Sequence, residues 1–375
     1  MKQQSYIKNR EGIGSLFHEM NMENITLKKL DIGFDYELFY TGRQAFKYIL
    51  DTISDTHPIE KIWMPAYYCQ HVTRWVKKVY PNLYFYNFNP FKFDKPININ
   101  DFASENDVVL INNYWGLSDT IKKTSKFPII VEDHSHGWLT KNCMHSEADY
   151  CFASLRKSLP IPLGGIAWKP GATIEHNTDR YIIDKPFYKA IDRLHEAMKT
   201  KTQFKKGALE IEKNDYLKVI DETEDFLDIN HEIVALRPQD RNLLHKYLNI
   251  NFLTYKQSNL NSIYRYLRGV DFMKVIKRAD HTTFGLILLF KDKSLWSSLR
   301  SFLVDNDIYP SFLWPDNTLS EDWQYVLNIH VDFRYNEQDM LYITNTLNTW
   351  ITDKLETHNM VLGQDDFLMN SKKRI

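Results

Sequence analysis

Lys157 lies in the stretch Ser154-Leu155-Arg156-Lys157-Ser158-Leu159-Pro160-Ile161-Pro162-Leu163-Gly164-Gly165, just past the apolar run Tyr150–Ser154. A lysine amine is nucleophilic only after losing its proton, and burial beside another cation, here Arg156, favours that loss. Such an amine condenses with an aldehyde to a Schiff base. Prolines and glycines stiffen and shape this loop, which a basic surface loop does not require, and Gly164-Gly165 lets backbone pass close to a site. Upstream, Asp133 follows another apolar run in Val131-Glu132-Asp133-His134-Ser135-His136-Gly137. A carboxylate there can keep a ring nitrogen protonated, so that the ring accepts electrons. Asp133, His134 and His136 also admit a metal reading, but no partner at zinc-motif spacing follows, and the expectation is no metal. A polar turn with satisfied histidines is the third reading.

Two more stretches have chemical potential. In Tyr40-Thr41-Gly42-Arg43-Gln44-Ala45 a glycine opens a helix, where a phosphate can approach free backbone N–H groups, and Arg43 can add a bidentate contact. A plain strand-to-helix turn fits the same residues. In Asn112-Asn113-Tyr114-Trp115-Gly116, Asn113 can bond a phenolic oxygen or simply end a strand in a turn. Ser154 can hydrogen-bond a phosphate.

These residues need elements that bring them together. Residues 43–54 carry Ala45, Phe46, Ile49, Leu50 and Ile53 at helical spacing. Lys61–Pro65, Leu83–Phe88, Asp107–Asn112, Phe127–Val131 and Tyr150–Ser154 read as strands, and Gln70–Val79 as a helix. Alternating strands and helices imply right-handed crossovers, a mostly parallel sheet and helices on both faces: an α/β fold. Ligands of such sheets bind beyond the carboxyl ends of the strands, where all four stretches fall. Residues 180–270 are charged, glycine-poor and rich in helix formers, and read as helical. Thr283–Phe290 and Ile308–Leu313 read as strands, Lys293–Val304 and Asp339–Lys354 as helices, giving a smaller α+β domain. The division expected is an arm over 1–38, a large domain with a helical linker over 39–270, a small domain over 271–357 and a loose polar tail over 358–375.

Composition sets the outer bounds. With 43% apolar and 25% charged residues the chain is ordinary globular material. A net charge of −1 attracts neither nucleic acid nor anionic membrane, so an anionic ligand needs a local site. The 3 cysteines form no CxxC pair and read as reduced thiols in a cytoplasmic protein. The first residues lack the apolar core of a signal peptide, and no apolar run reaches membrane-span length.

Taken together, TGRQA, MPAYYC, NYWG, EDHSH and SLRKSLPIPLGG (across residues 40–168) resemble, in order and approximate spacing, the DegT-type sugar aminotransferases, pyridoxal-phosphate (PLP) enzymes of fold type I. IYPSFLWP and LNIHVDFRY resemble that family's small domain more weakly. The resemblance implies a seven-stranded large sheet, Lys157 as the Schiff-base lysine, Asp133 on the pyridine nitrogen and His136 near the ring oxygen. It further implies Gly42, Arg43 and Ser154 at the phosphate, Asn113 at the cofactor, and a stacking residue among Tyr67, Tyr68 and Cys69. Lys157 would also shuttle the substrate proton. The implied reaction moves an amine from an amino acid such as glutamate to a keto sugar nucleotide for surface polysaccharide, in a homodimer. Arg334 and Arg156 are the candidates for substrate contacts. Another PLP reaction, such as a lyase, dehydratase or amino-acid transaminase, and a non-catalytic scaffold on the same fold are the alternatives. The sequence departs from the family at SLRK, at Gly42-Arg43 and at Cys69, and it lacks the family's later asparagine-containing motif.

Overall fold

The computed structural model describes residues 12–14, 17–20, 30–92, 97–123, 128–248, 250–314, 317, 319 and 321–371. Its main feature is a seven-stranded sheet in the order Tyr36–Phe39, Gly165–Trp168, Tyr150–Ser154, Ile129–Asp133, Asp107–Asn112, Lys61–Pro65, Leu83–Tyr86. Gly165–Trp168 runs antiparallel to both neighbours and every other pairing from Tyr150 to the far edge is parallel. Asp107–Asn112 and Ile129–Asp133 are buried at every position. Both faces of these strands are covered, and their sequences are therefore continuous apolar runs rather than alternating ones.

The helix Gly42–Ser54 packs Ala45, Phe46, Ile49, Leu50 and Ile53 into the core, and the side chain of Thr41 caps it by accepting from the Gln44 amide at 3.1 Å. A helical segment follows the large sheet, with helices Lys185–Lys205, Lys213–Ile229, Pro238–Leu248 and Leu253–Tyr266. Next comes a three-stranded antiparallel sheet of Met273–Ile276, Leu286–Phe290 and Tyr325–Ile329, whose core is shared with the helices Lys293–Asp305 and Glu337–Ser371.

Several boundaries differ from the sequence reading. The strand expected from Thr283 begins at Leu286, because the Phe284 amide instead donates to the Trp115 carbonyl at 2.8 Å and docks this stretch on the large sheet's loops. Ile308–Leu313 shortens to Ile308–Tyr309, since Pro310 cannot donate to a ladder. That short strand pairs with Ile13–Gly14, so the N-terminal arm reaches the small sheet. The last helix continues to Ser371, past His358 where the sequence suggests a loose tail; residues 372–375 lie outside the described part, as do residues 1–11 of the arm. Among the described residues no helix is long and apolar enough to cross a membrane.

Candidate active site

At the carboxyl ends of the parallel strands lies a cavity bordered by Gly42, Arg43, Tyr68, Cys69, Asp133, Ser154, Arg156 and Lys157, with Trp314 entering from the small-sheet side. The short turn Leu155–Lys157 lifts Lys157 off its strand, and its Nζ lies 3.3 Å from His136 Nε2. The His136 ring packs against both Trp115 and Trp314, each at 5.2 Å between centroids, and the two indoles are 5.3 Å from each other. Burial, reinforced by the charges of Lys157 and Lys256, drives the His136 pKa well below its usual value. The imidazole is thus neutral, and its Nδ1 is buried without a hydrogen-bond partner.

Asp133 is held from two sides. Its Oδ1 accepts the Ser135 amide at 2.8 Å, and its Oδ2 accepts the Tyr68 hydroxyl. Burial, with Asp133 beside it, raises the Tyr68 pKa far above that of a free phenol, so this hydroxyl remains a donor. Ser135 Oγ accepts the Ser154 amide at 2.8 Å and ties the two strand ends together.

At the other end the first helix approaches the strand turn closely. A Cβ at Gly165 would sit 2.2 Å from the Thr41 carbonyl oxygen, and one at Gly42 would sit 3.0 Å from Ser154 Cβ. Only glycine permits that approach. Among the described residues the amides of Gly42 and Arg43 donate to nothing, as the first turn of a helix leaves them. The cations here are paired: Arg43 with Asp228, and Arg156 with Glu224, where the second contact is 3.1 Å. His71 Nδ1 adds a contact of 2.5 Å to Asp228. Burial alone would raise the Glu224 pKa, but Arg156 outweighs it and holds this carboxyl below its ordinary value.

Gly42, Arg43, Tyr68, Asp133, Ser154, Arg156 and Lys157 therefore meet at one cavity, with His136 against Lys157. Three expected residues do not join them. Asn113 turns its amide to His134 at 3.2 Å and Thr140 at 3.1 Å. Tyr67 packs beside Trp314 with its hydroxyl toward the Leu313 carbonyl. Arg334 binds Asp332 through two contacts of 2.7 Å and the Gly14 carbonyl at 2.8 Å, so its guanidinium is committed to the fold. Of the three stacking candidates, Tyr68 and Cys69 border the cavity.

The metal alternative also separates. Asp133 faces the cavity, whereas Glu132 and His134 turn to the opposite side of the sheet near Cys151, their candidate ligand atoms lying within 4.8 Å of one another. Glu132 there accepts from His134 at 3.1 Å and Ser146 at 2.5 Å. The sequence reading missed Trp314, Glu224, Asp228, His71 and Lys256. Trp314 stands in a stretch whose resemblance was noted; the others lie on helices where nothing in the local pattern distinguishes them from solvated charge.

No family model and no curated protein matches the chain. Solved structures do. Spr1654 of Streptococcus pneumoniae, assigned as a sugar aminotransferase and solved in its PLP form, is 11% identical, with a TM-score of 0.57 over 90% of this chain and 98% of that one. AtS13 of Actinomadura melliaura is 13% identical, with a TM-score of 0.52 over 84% of this chain and 86% of that one. DesV of S. venezuelae, solved with a ketimine intermediate, is 11% identical, with a TM-score of 0.52 over 84% of each chain. At such identities likeness shows the fold, and the fold of this chain is the type I fold of PLP-dependent enzymes.

Proposed function

We propose that this chain is a PLP-dependent aminotransferase that moves an amine from an amino acid such as glutamate to a keto sugar nucleotide, for surface polysaccharide, as a cytoplasmic homodimer. One observation carries the reading: the Lys157 amine, the Asp133 carboxylate and the open start of the Gly42–Ser54 helix border the same cavity. The neighbouring groups fit such a cofactor. Two free amides and a glycine cradle stand at the phosphate end, a fixed carboxylate stands where a ring nitrogen is recognised, and the orphaned His136 Nδ1 is buried beside Lys157. The sugar aminotransferase assignment of Spr1654 supports the acceptor class.

When bound, PLP supplies the electron sink. The chain supplies position and protons. Gly42, Arg43 and Ser154 would hold the phosphate. Asp133, fixed by the Ser135 amide and the Tyr68 hydroxyl, would keep the ring nitrogen protonated. Lys157 would anchor the cofactor and, once released by the amine donor, would carry a proton at Nζ to and from the substrate carbon. Neutral His136 accepts a hydrogen bond from that Nζ and aims it, and Trp115 and Trp314 keep water from the far side of His136.

The test is optical. Added PLP should give the purified protein a visible absorption band that borohydride fixes covalently, and Lys157→Ala should abolish the fixed adduct. Glutamate should then bleach the band. A protein that stays colourless with excess PLP sinks the cofactor, and a band indifferent to every amino acid sinks the transamination.

A further inference from the structure

Lys256 is a lysine with 9% of its surface exposed, on the helix Leu253–Tyr266 that joins the two sheets. Among the described residues its ammonium makes no hydrogen bond and no ion pair. The ammonium lies over the face of Phe284, at 5.2 Å from the ring centre. Phe284 in turn lies 4.5 Å from the His136 ring and 5.5 Å from the His330 ring. His136 is the residue that touches Lys157. Only the Phe284 ring and His136 therefore stand between this ammonium and Lys157 in the chain of contacts.

The charges around Lys256 leave it uncompensated. Asp332 acts on it favourably, but that carboxylate is gripped by Arg334 through both oxygens and lies beyond ion-pair distance of Lys256. Arg334 acts on it unfavourably, and Lys157 and Lys201 add positive charge to the same neighbourhood. His330 and His136 are neutral, the first with a pKa pushed down to about 3 by burial. A buried ammonium without an acceptor is costly, and proteins keep one where a ligand completes it.

We infer that Lys256 is the binding residue for a carboxylate of the amino-acid amine donor, taking the role that the sequence suggested for Arg334. A carboxylate suits the site better than a diphosphate, because one free monocation flanked by neutral imidazoles balances a single negative charge. The Phe284 face lies against the ammonium and suits the methylene chain of an amino acid. The assignment rests on the aminotransferase reading for the identity of its ligand, and its test is separable from that reading.

The probe is glutarate, a dicarboxylate with no amine, titrated calorimetrically into the full-length protein without PLP. Saturable binding is expected in the wild type. Lys256→Met should weaken it by about 10- to 100-fold, the range for a charge-assisted contact, and Lys256→Arg should retain most of it. Wild-type binding should also fade as pH rises through about 8, to which burial lowers the Lys256 pKa. Lys256→Gln, with unchanged circular dichroism, guards against a folding artefact in the methionine variant. Equal glutarate affinity in wild type, Lys256→Met and Lys256→Gln overturns the inference, as does the absence of wild-type binding. PLP titration of the same variants reports separately: no visible band in any of them ends the cofactor reading, whereas a normal band with unaltered glutarate affinity ends only the role of Lys256.

Discussion

The helix-start end of the cavity and the interior on its small-sheet side treat their cations in opposite ways. At the helix-start end, Arg43 and Arg156 each face a carboxylate from the helix Lys213–Ile229, in pairs whose side chains are 10% to 34% exposed and which solvent screens in part. At the small-sheet end, Arg334 and Asp332 form a pair with 3% and 8% of their side chains exposed, and among the described residues the Lys256 ammonium beside them has no hydrogen-bond or ion-pair partner. The first end keeps its positive charge masked but exchangeable. The second spends one cation on architecture and leaves the other open. An anion arriving at the first end must displace an acid, while at the second it fills a vacancy in the charge balance.

Removing Lys157 tests both ends at once and has the largest expected effect. Lys157→Ala should lose the covalent adduct entirely, because no other amine borders the cavity among the described residues. Arg334→Gln is next. It strands Asp332 in the interior, where breaking one half of a buried pair costs about 3–5 kcal/mol. Chemical denaturation should show that loss, and glutarate affinity should hold in whatever fraction stays folded. A cost below about 1 kcal/mol, the range of exposed pairs, would put Arg334 back among the candidates for substrate contact. The pair also sets an acid limit. Burial opposes ionisation of Asp332, but Arg334 outweighs it and lowers its pKa from 3.8 to about 2, so its contribution is complete above 3.8 and disappears as pH falls to about 2.

Much of the first end was legible in the sequence. Strand-end residues lie within a few positions of an apolar run, so Asp133, Ser154 and Lys157 are found by walking along the chain. A glycine opening a helix is equally local, and the close approach of Gly42 to Ser154 is its reason. The partners Glu224 and Asp228 are not local: they sit among acids on a charged helix, and only the crossing of that helix over the strand ends selects them. Arg334 misleads for a similar reason, because the bonds that commit it come from Asp332 and from Gly14 in the N-terminal arm, a contact that no spacing announces. Lys256 looks like any helix lysine until Phe284 is seen against it, with His136 packed on that ring in turn.

Lys256→Met sharpens the comparison from the other side, since it should stabilise the ligand-free protein. The unfolded chain carries this lysine at an ordinary pKa near 10.5, whereas burial lowers it to about 8 in the folded state. Below about 8 the folded state bears the full cost of the buried charge, and the cost fades as pH rises toward 10.5. Removing the charge should therefore gain about 1–3 kcal/mol near neutral pH, and the gain should shrink at alkaline pH. Urea midpoints of wild type and variant at the two pH values measure it. A variant that is less stable than wild type at neutral pH would mean that the ammonium already has a compensating partner.

Glu224→Gln has the smallest expected effect on stability and is the most direct probe of the masked end. Glu224 and Arg156 are 29% and 34% exposed, so breaking their pair should cost no more than about 1 kcal/mol. Its consequence for binding should be larger. With the acid gone, Arg156 faces the cavity uncompensated, and a phosphate no longer competes with a resident carboxylate. PLP titrated into the apoprotein should then bind several-fold more tightly, about 3- to 10-fold, in keeping with the worth of one partly screened charge contact. High salt should narrow the difference, because screening weakens the competing pair first. If Glu224→Gln binds PLP more weakly instead, the carboxylate is positioning Arg156 rather than masking it, and the contrast between the two ends reduces to their burial.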